Sequence, residues 1–291
     1  MRGFIVFSCA MLAAIPILAQ GPPPPSFPPQ QLDSLVARVA LYPDSLLAQV
    51  LAAATFSDQI PDAARWADQH HYLTSDALAR DIQEDQLPWD PSVQALLPFP
   101  SVLGMMASDL NWTRDLGDAF LAQGPDVMDA VQRERRQARD FGYLRSNGQI
   151  VVSNGPYIEI APVNPAVIYV PYYDPLVVFA RPRPGFVVSR GITFSFGIGI
   201  GPAFRPWGWG GNRIVWGSHA VFVNNAEWHR NWVNRGSYVH PYTIRRAGPA
   251  PRVEEHHDVR ERSERERAAD RNGGRKRVEE HGKEERKEER R

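Results

Sequence analysis

Apolar positions repeat at helical spacing over the first half of the chain and switch to alternation after Gly142. Leu32, Leu35, Val36, Val39 and Ala40 share one face, with Asp33, Ser34 and Arg38 opposite. Pro43 in "YPD" disfavours helix at Tyr42 and ends this stripe. Leu46, Leu47, Val50, Leu51 and Ala54 form a second stripe, and Pro61 opens a third around Ala64 and Trp66. Thr74 or Ser75 caps a fourth, "SDALARDIQED". In "WDPSVQALL", Asp90 stands at an N-cap and Pro91 at the first helical position, where its missing N–H costs nothing. "PSVLGMMASDLNW", "TRDLGDAFLAQ" and "PDVMDAVQRERRQARDFG" complete seven or eight short helices, with Gly124 and Gly142 as stops.

Beyond Gly142, "QIVVSNGPYIEIAP" predicts strand, Asn154-Gly155 turn, strand, because both turn positions tolerate positive φ. "VIYVPYY" predicts a third strand, punctuated by Pro165 and Pro175 and interrupted at Pro171, which places it at a sheet edge with Tyr172 and Tyr173 on opposite sides. "LVVF" at 176–179 reads as a fourth. Phe194, Phe196, Ile198 and Ile200 then alternate with Ser195, Gly197 and Gly199, a strand with one bulky face.

The expected fold class is α+β: an N-terminal bundle or array of short helices (32–143), then a small antiparallel β module (144–179), a Gly/Arg/aromatic-rich segment (180–251) and a charged disordered tail (252–291). Ahead of these stand a signal peptide (1–19), with a positive start, an apolar core and Ala19 at its exit, and an extended, unpacked Pro-rich linker (20–31). The expected location is therefore the periplasm or the exterior, after cleavage near Ala19-Gln20. Cys9 lies inside the signal, so the mature chain has no disulfide, thiol nucleophile or cysteine metal ligand. The formal net charge of zero conceals an asymmetry. Residues 32–140 carry 8 Arg against 17 acids, and residues 141–251 carry 10 Arg against 3.

"LVARVALYPDSLLAQVLAAATF", "AARWA", "WDPSVQALLPFPSVLGMM", "WTRDLGDAFLAQGPDVMDAVQRER" and "IEIAPVNPAVIYVPYYDP" resemble, in this order, bacterial domain-of-unknown-function family 3300 over roughly residues 30–179. The resemblance implies an exported envelope protein with a helical part, a short β part and a variable segment after residue 180. It brings no activity, cofactor or catalytic residue.

Candidate binding residues are the aromatics. Trp89 and Phe99, with two methionines, could line an apolar groove, although such residues at helical spacing are usually core. Tyr169 and Tyr172 could present a surface. Trp207 and Trp209 stand among arginines in a segment suited to an anionic surface: lipid headgroup, lipopolysaccharide or polymer. Nucleic acid is not expected of an exported chain. The leading expectation is a non-catalytic envelope protein that binds an envelope partner or such a surface, without a cofactor. One alternative is an envelope hydrolase using the helical-domain carboxylates Asp44, Asp115 and Asp118. The other is a metal-binding protein using His219, His229, His240 and Glu227, whose spacing matches no compact metal motif.

Overall fold

The computed structural model describes residues 23–73, 75–182 and 191–237. The expected signal segment, the Thr74 cap and the charged tail lie outside these residues. Seven helices come first: α1 (Pro29–Val36), α2 (Asp44–Ala54), α3 (Ile60–Gln69), α4 (Ser75–Glu84), α5 (Pro91–Gln94), α6 (Pro100–Ser108) and α7 (Leu110–Asp140). Proline stands in the first turn of α1, α3, α5 and α6, where no donor is needed. Asp90 caps α5, its Oδ1 accepting from Ser92 N–H at 2.9 Å. Both α1 and α2 lie against α7. At the crossing with α2, a Cβ on Gly117 would come within 2.2 Å of the Ala54 carbonyl oxygen, so only glycine allows this approach.

The sequence divides residues 113–142 at Gly124. The structure breaks at the same place: α7 is two helical segments that meet at a kink, with Gln123 at the non-helical φ −138° and ψ 43°. Pro125 has no N–H, which leaves the Leu121 carbonyl one turn back without its helical donor. Trp232 N–H, far along the chain, donates to that carbonyl at 2.8 Å. The Gln123 side chain turns out of the helix and clamps Phe27. Its Oε1 accepts Phe27 N–H at 2.7 Å and its Nε2 donates to Phe27 O at 3.3 Å. The Pro-rich stretch is thus pinned at Phe27 and helical from Pro29, rather than unpacked to Gln31.

Strands β1 (Ile150–Val152) and β2 (Ile160–Pro162) pair antiparallel, with Val151 opposite Ala161. Their connection spans 153–159, not the two-residue Asn154-Gly155 turn. Side chains of α7 take the backbone of Ile158 before the ladder can close. Gln132 accepts Ile158 N–H at 2.9 Å and donates to Ile158 O at 3.0 Å.

"VIYVPYY" forms two short strands, β3 (Val167–Ile168) and β4 (Pro171–Tyr173). "LVVF" is no strand: Asp174 caps a short helix, α8 (Pro175–Val178). β4 pairs with β5 (Ile192–Phe194), and β3 with β6 (Ile198–Gly199). Two residues separate β3 from β4, whereas three separate β5 from β6. The extra residue makes a bulge that throws Phe196 out to 96% exposure, so the long alternating strand is broken in the middle. This ladder crosses the boundary drawn at residue 180.

A three-stranded sheet follows: β7 (Arg213–Val215), β8 (Ala220–Val223) and β9 (Ala226–Glu227). Here lies the tight hairpin turn. Asn224 and Asn225 both take positive φ, 53° and 60°, between Val223 and its partner Ala226. The main core joins the helices to Ile168, Val170, Phe204, Trp207, Trp209, Trp216 and Val221. A second cluster unites Leu41 and Ala138 with Ile150, Ile158, Ile160 and Val178.

Candidate functional site

Four of the six aromatic candidates lie in the main core. Trp89, Phe99, Trp207 and Trp209 are buried. Trp207 Nε1 donates to Gln94 Oε1 at 2.8 Å, Trp209 Nε1 donates to Ala95 O at 2.8 Å, and the Phe99 and Trp209 rings stand 5.2 Å apart. "WDPSVQALLPFP" is therefore a seat for the tryptophans of the late segment, and neither stretch offers these side chains to solvent. Tyr169 is half-buried, its ring against the backbone of Gly197. Tyr172 is exposed and lies beside Ser101 Oγ at 3.0 Å, while Tyr173 points inward, its hydroxyl accepting Leu41 N–H at 3.2 Å. The two tyrosines point in opposite directions, as strand alternation requires.

Two adjacent residues of α7 then have opposite surroundings. Arg135, 0% exposed, donates to Asp44 Oδ1 at 2.6 Å and to the carbonyls of Ala40, Tyr42 and Ile158 at 2.8, 2.9 and 2.8 Å. Asp44 also accepts Trp216 Nε1 at 2.9 Å, and the Trp216 ring lies 4.8 Å from the guanidinium. This node fastens the α1–α2 turn, α7, the β1–β2 loop and the turn after β7 into one piece. "YPD" is part of its frame, and Asp44 is fully committed there.

Glu134 faces the other way, into a groove of about 530 Å³. Asp33, Ser34, Ala37 and Arg38 of α1 form one wall; Pro175, Leu176, Phe179 and Ala180 form the other. The second wall is built by "PYYDP". Tyr173 meets Phe179 edge-on at 5.9 Å, Asp174 caps α8 through Leu176 N–H at 2.9 Å, and the Gln137 amide donates to Phe179 O. Leu176 stands 85% exposed on the lip beside Val177. Arg133 holds Asp33 Oδ1 at 2.7 Å, and Arg38 holds Asp109 at 3.0 Å while lying over Trp112. Glu134 is only 8% exposed, and its side chain makes no hydrogen bond among the described residues. Burial, reinforced by the charge of Asp33 and opposed by Arg133, pushes its carboxyl up to about 7.

The other carboxylate candidates do not join this site. Asp115 and Asp118 lie near the opposite end of α7, where burial and the charge of Asp115 raise Asp118. His219 contacts Asp129 at 3.0 Å, Glu227 and His229 are exposed, and His240 lies outside the described residues. Among the described residues no three His, Cys, Asp or Glu side chains converge as for a metal. No described helix is long and apolar enough to cross a membrane.

Sequence patterning overlooked Asp33, Glu134, Leu176 and Phe179, and also Arg135 and Trp216. A signal was present: Val127, Val131, Arg135 and Ala138 continue one apolar stripe, so "RERR" places charge at core positions.

The chain is 34% identical over 222 residues to the uncharacterized protein YacH of Escherichia coli (strain K12), an alignment covering 60% of this chain and 36% of that protein. No solved structure matches. The family model for the protein of unknown function DUF3300 matches residues 28–246, a span that runs from the start of α1 past β9 and so takes in the helices, the groove and the late sheet. The chain belongs to the DUF3300 family.

Proposed function

We propose that the protein is exported and works in the cell envelope by binding a partner, without catalysis, and that the groove between α1, α7 and α8 is its recognition site. The observation that carries this reading is the pairing of an exposed apolar lip, Leu176 and Val177, with an enclosed carboxyl, Glu134. An apolar wall with one well-placed polar group is how small recognition sites combine affinity with orientation. The signal-like start supports export. The burial of Trp89, Phe99, Trp207 and Trp209 shifts the reading away from an aromatic platform and toward the groove.

The test has two parts. N-terminal sequencing of the mature protein should begin near Gln20 or Gly21; an intact Met1 on a cytoplasmic species would sink export. Envelope extracts passed over residues 20–251 should yield a partner that Ala37→Trp, which fills the groove, no longer captures. Equal capture by folded Ala37→Trp would remove the groove from the reading.

A second reading keeps the anionic surface as partner. On the late sheet Arg213 lies over Phe222 at 3.8 Å and is exposed, an arrangement suited to headgroup phosphates. Sedimentation with vesicles containing phosphatidylglycerol tests it: binding should fall in Arg213→Ser, and no sedimentation of the wild type would refute it.

A further inference from the structure

We infer that the groove receives an apolar peptide segment bearing a lysine, whose ammonium pairs with Glu134. This deepens the proposed binding role and rests on it. Charge complementarity selects a cation. Among the described residues the groove is lined by two carboxylates, Asp33 and Glu134, and one guanidinium, Arg38; Arg133 and Asp109 stand behind them. Arg133 pairs with Asp33 and Arg38 with Asp109, and among the described residues Glu134 has no ion pair or side-chain hydrogen bond of its own, although the Arg133 charge still acts on it. Arg135, next in sequence, is spent on Asp44 and three carbonyls. Tyr173 of β4, another titratable group beside Glu134, is half-buried, and its hydroxyl already accepts Leu41 N–H. Pro175, Leu176, Phe179 and Ala180 bring no charge of their own.

A side chain nine-tenths buried that opens onto a groove without a hydrogen bond is costly to ionise alone and is relieved by an incoming donor. An anionic ligand would meet Glu134 and Asp33 with like charge. A compact ammonium on a flexible apolar stem can reach into the groove to a single carboxylate without the broad, planar head of a guanidinium. The stem would run along Phe179 and Ala180. The lip at Leu176 and Val177 extends beyond the groove and gives neighbouring apolar residues of a peptide a surface, which a lone amine would leave unused.

Capture of an ammonium also couples binding to protons. Because burial and Asp33 hold the Glu134 carboxyl near 7, the free groove is largely protonated at pH 6 and largely ionised at pH 8. Lysine stays charged across this range.

The probe is acetyl-Leu-Lys-Leu-amide, titrated calorimetrically into the folded chain beside acetyl-Leu-norleucine-Leu-amide, which keeps the stem and removes the charge. The lysine peptide should bind about tenfold more tightly than the norleucine peptide at pH 8, and about tenfold more weakly at pH 6 than at pH 8. In Glu134→Gln, with its fold checked by circular dichroism, both preferences should vanish. In Ala37→Trp the peptide should not bind. Equal affinity of the two peptides, a lysine preference that survives Glu134→Gln, binding that survives Ala37→Trp, or no binding to the wild type would each overturn the inference. None of these would touch the broader binding role, which stands or falls on the capture of an envelope partner by the wild type and its loss in Ala37→Trp.

Discussion

Glu134 and Arg135 are neighbours on α7 and belong to two regions with opposite logic. On the Arg135 side each guanidinium nitrogen has a partner, and the charge is matched by Asp44. On the Glu134 side the residue is also buried, but its carboxyl opens onto the groove and has no hydrogen bond among the described residues. A buried charge whose partners are all supplied from within belongs to the architecture. One whose partner is missing carries a cost that the fold does not recover, and is the better candidate for function. The difference separates structural from functional ionisable groups where sequence proximity would merge them.

The comparison can be broken from the structural side first. Asp44→Ala should cost about 3–5 kcal/mol, because it strands a fully buried guanidinium. Urea unfolding measures this, and a loss below about 1 kcal/mol would deny the node its role. Trp216→Phe keeps an aromatic ring but removes the donor to Asp44 Oδ2 together with part of the indole. It should cost about 1.5–3 kcal/mol, read by the same method, since a hydrogen bond to a charged group is lost.

The groove side predicts a pH effect of a definite sign. The Glu134 carboxyl rises from an ordinary 4.5 in the unfolded chain to about 7 in the folded one. Between these values the folded chain holds a proton that the unfolded chain has released, so its contribution to stability falls as pH rises and levels off above about 7. The carboxyl opens onto a solvent-filled groove, which reduces the effect to about 1–2 kcal/mol. Asp118, also raised, acts with the same sign, and Asp109, lowered by the Trp112 N–H and by Arg38, with the opposite one. The quantity to measure is therefore the difference between wild type and Glu134→Gln from pH 5 to 8, which should grow with pH in favour of the variant. A flat difference would show that Glu134 is not held near 7. The smallest effect on stability belongs to Leu176→Ser, within about 0.5 kcal/mol because the side chain is exposed, although capture of a groove partner should weaken severalfold.

The helical half was largely legible. The stripes, the prolines in first turns, the Asp90 cap and the Gly142 stop at φ 80° depend on residues a few positions apart. The β half was legible in kind but not in pairing. The favoured turn dipeptide Asn154-Gly155 is overridden because Gln132 and Arg135 take Ile158. The tight turn falls instead at Asn224-Asn225, a dipeptide that also tolerates positive φ. The groove was least legible, since its walls come from α1, α7 and α8, far apart in the chain.

The sequence by itself determined the α+β class, the helix faces and starts, and the opposed directions of Tyr172 and Tyr173. Helical period, proline geometry and strand alternation are local properties that contacts elsewhere rarely reverse. Tertiary structure alone decided that the late tryptophans turn inward onto "WDPSVQALLPFP", that Trp232 supplies the donor Pro125 withholds, and that Arg135 is satisfied while Glu134 is not. Each of these depends on which distant groups arrive to share a buried hydrogen bond, and a buried polar group takes its meaning from that partner or from its lack of one.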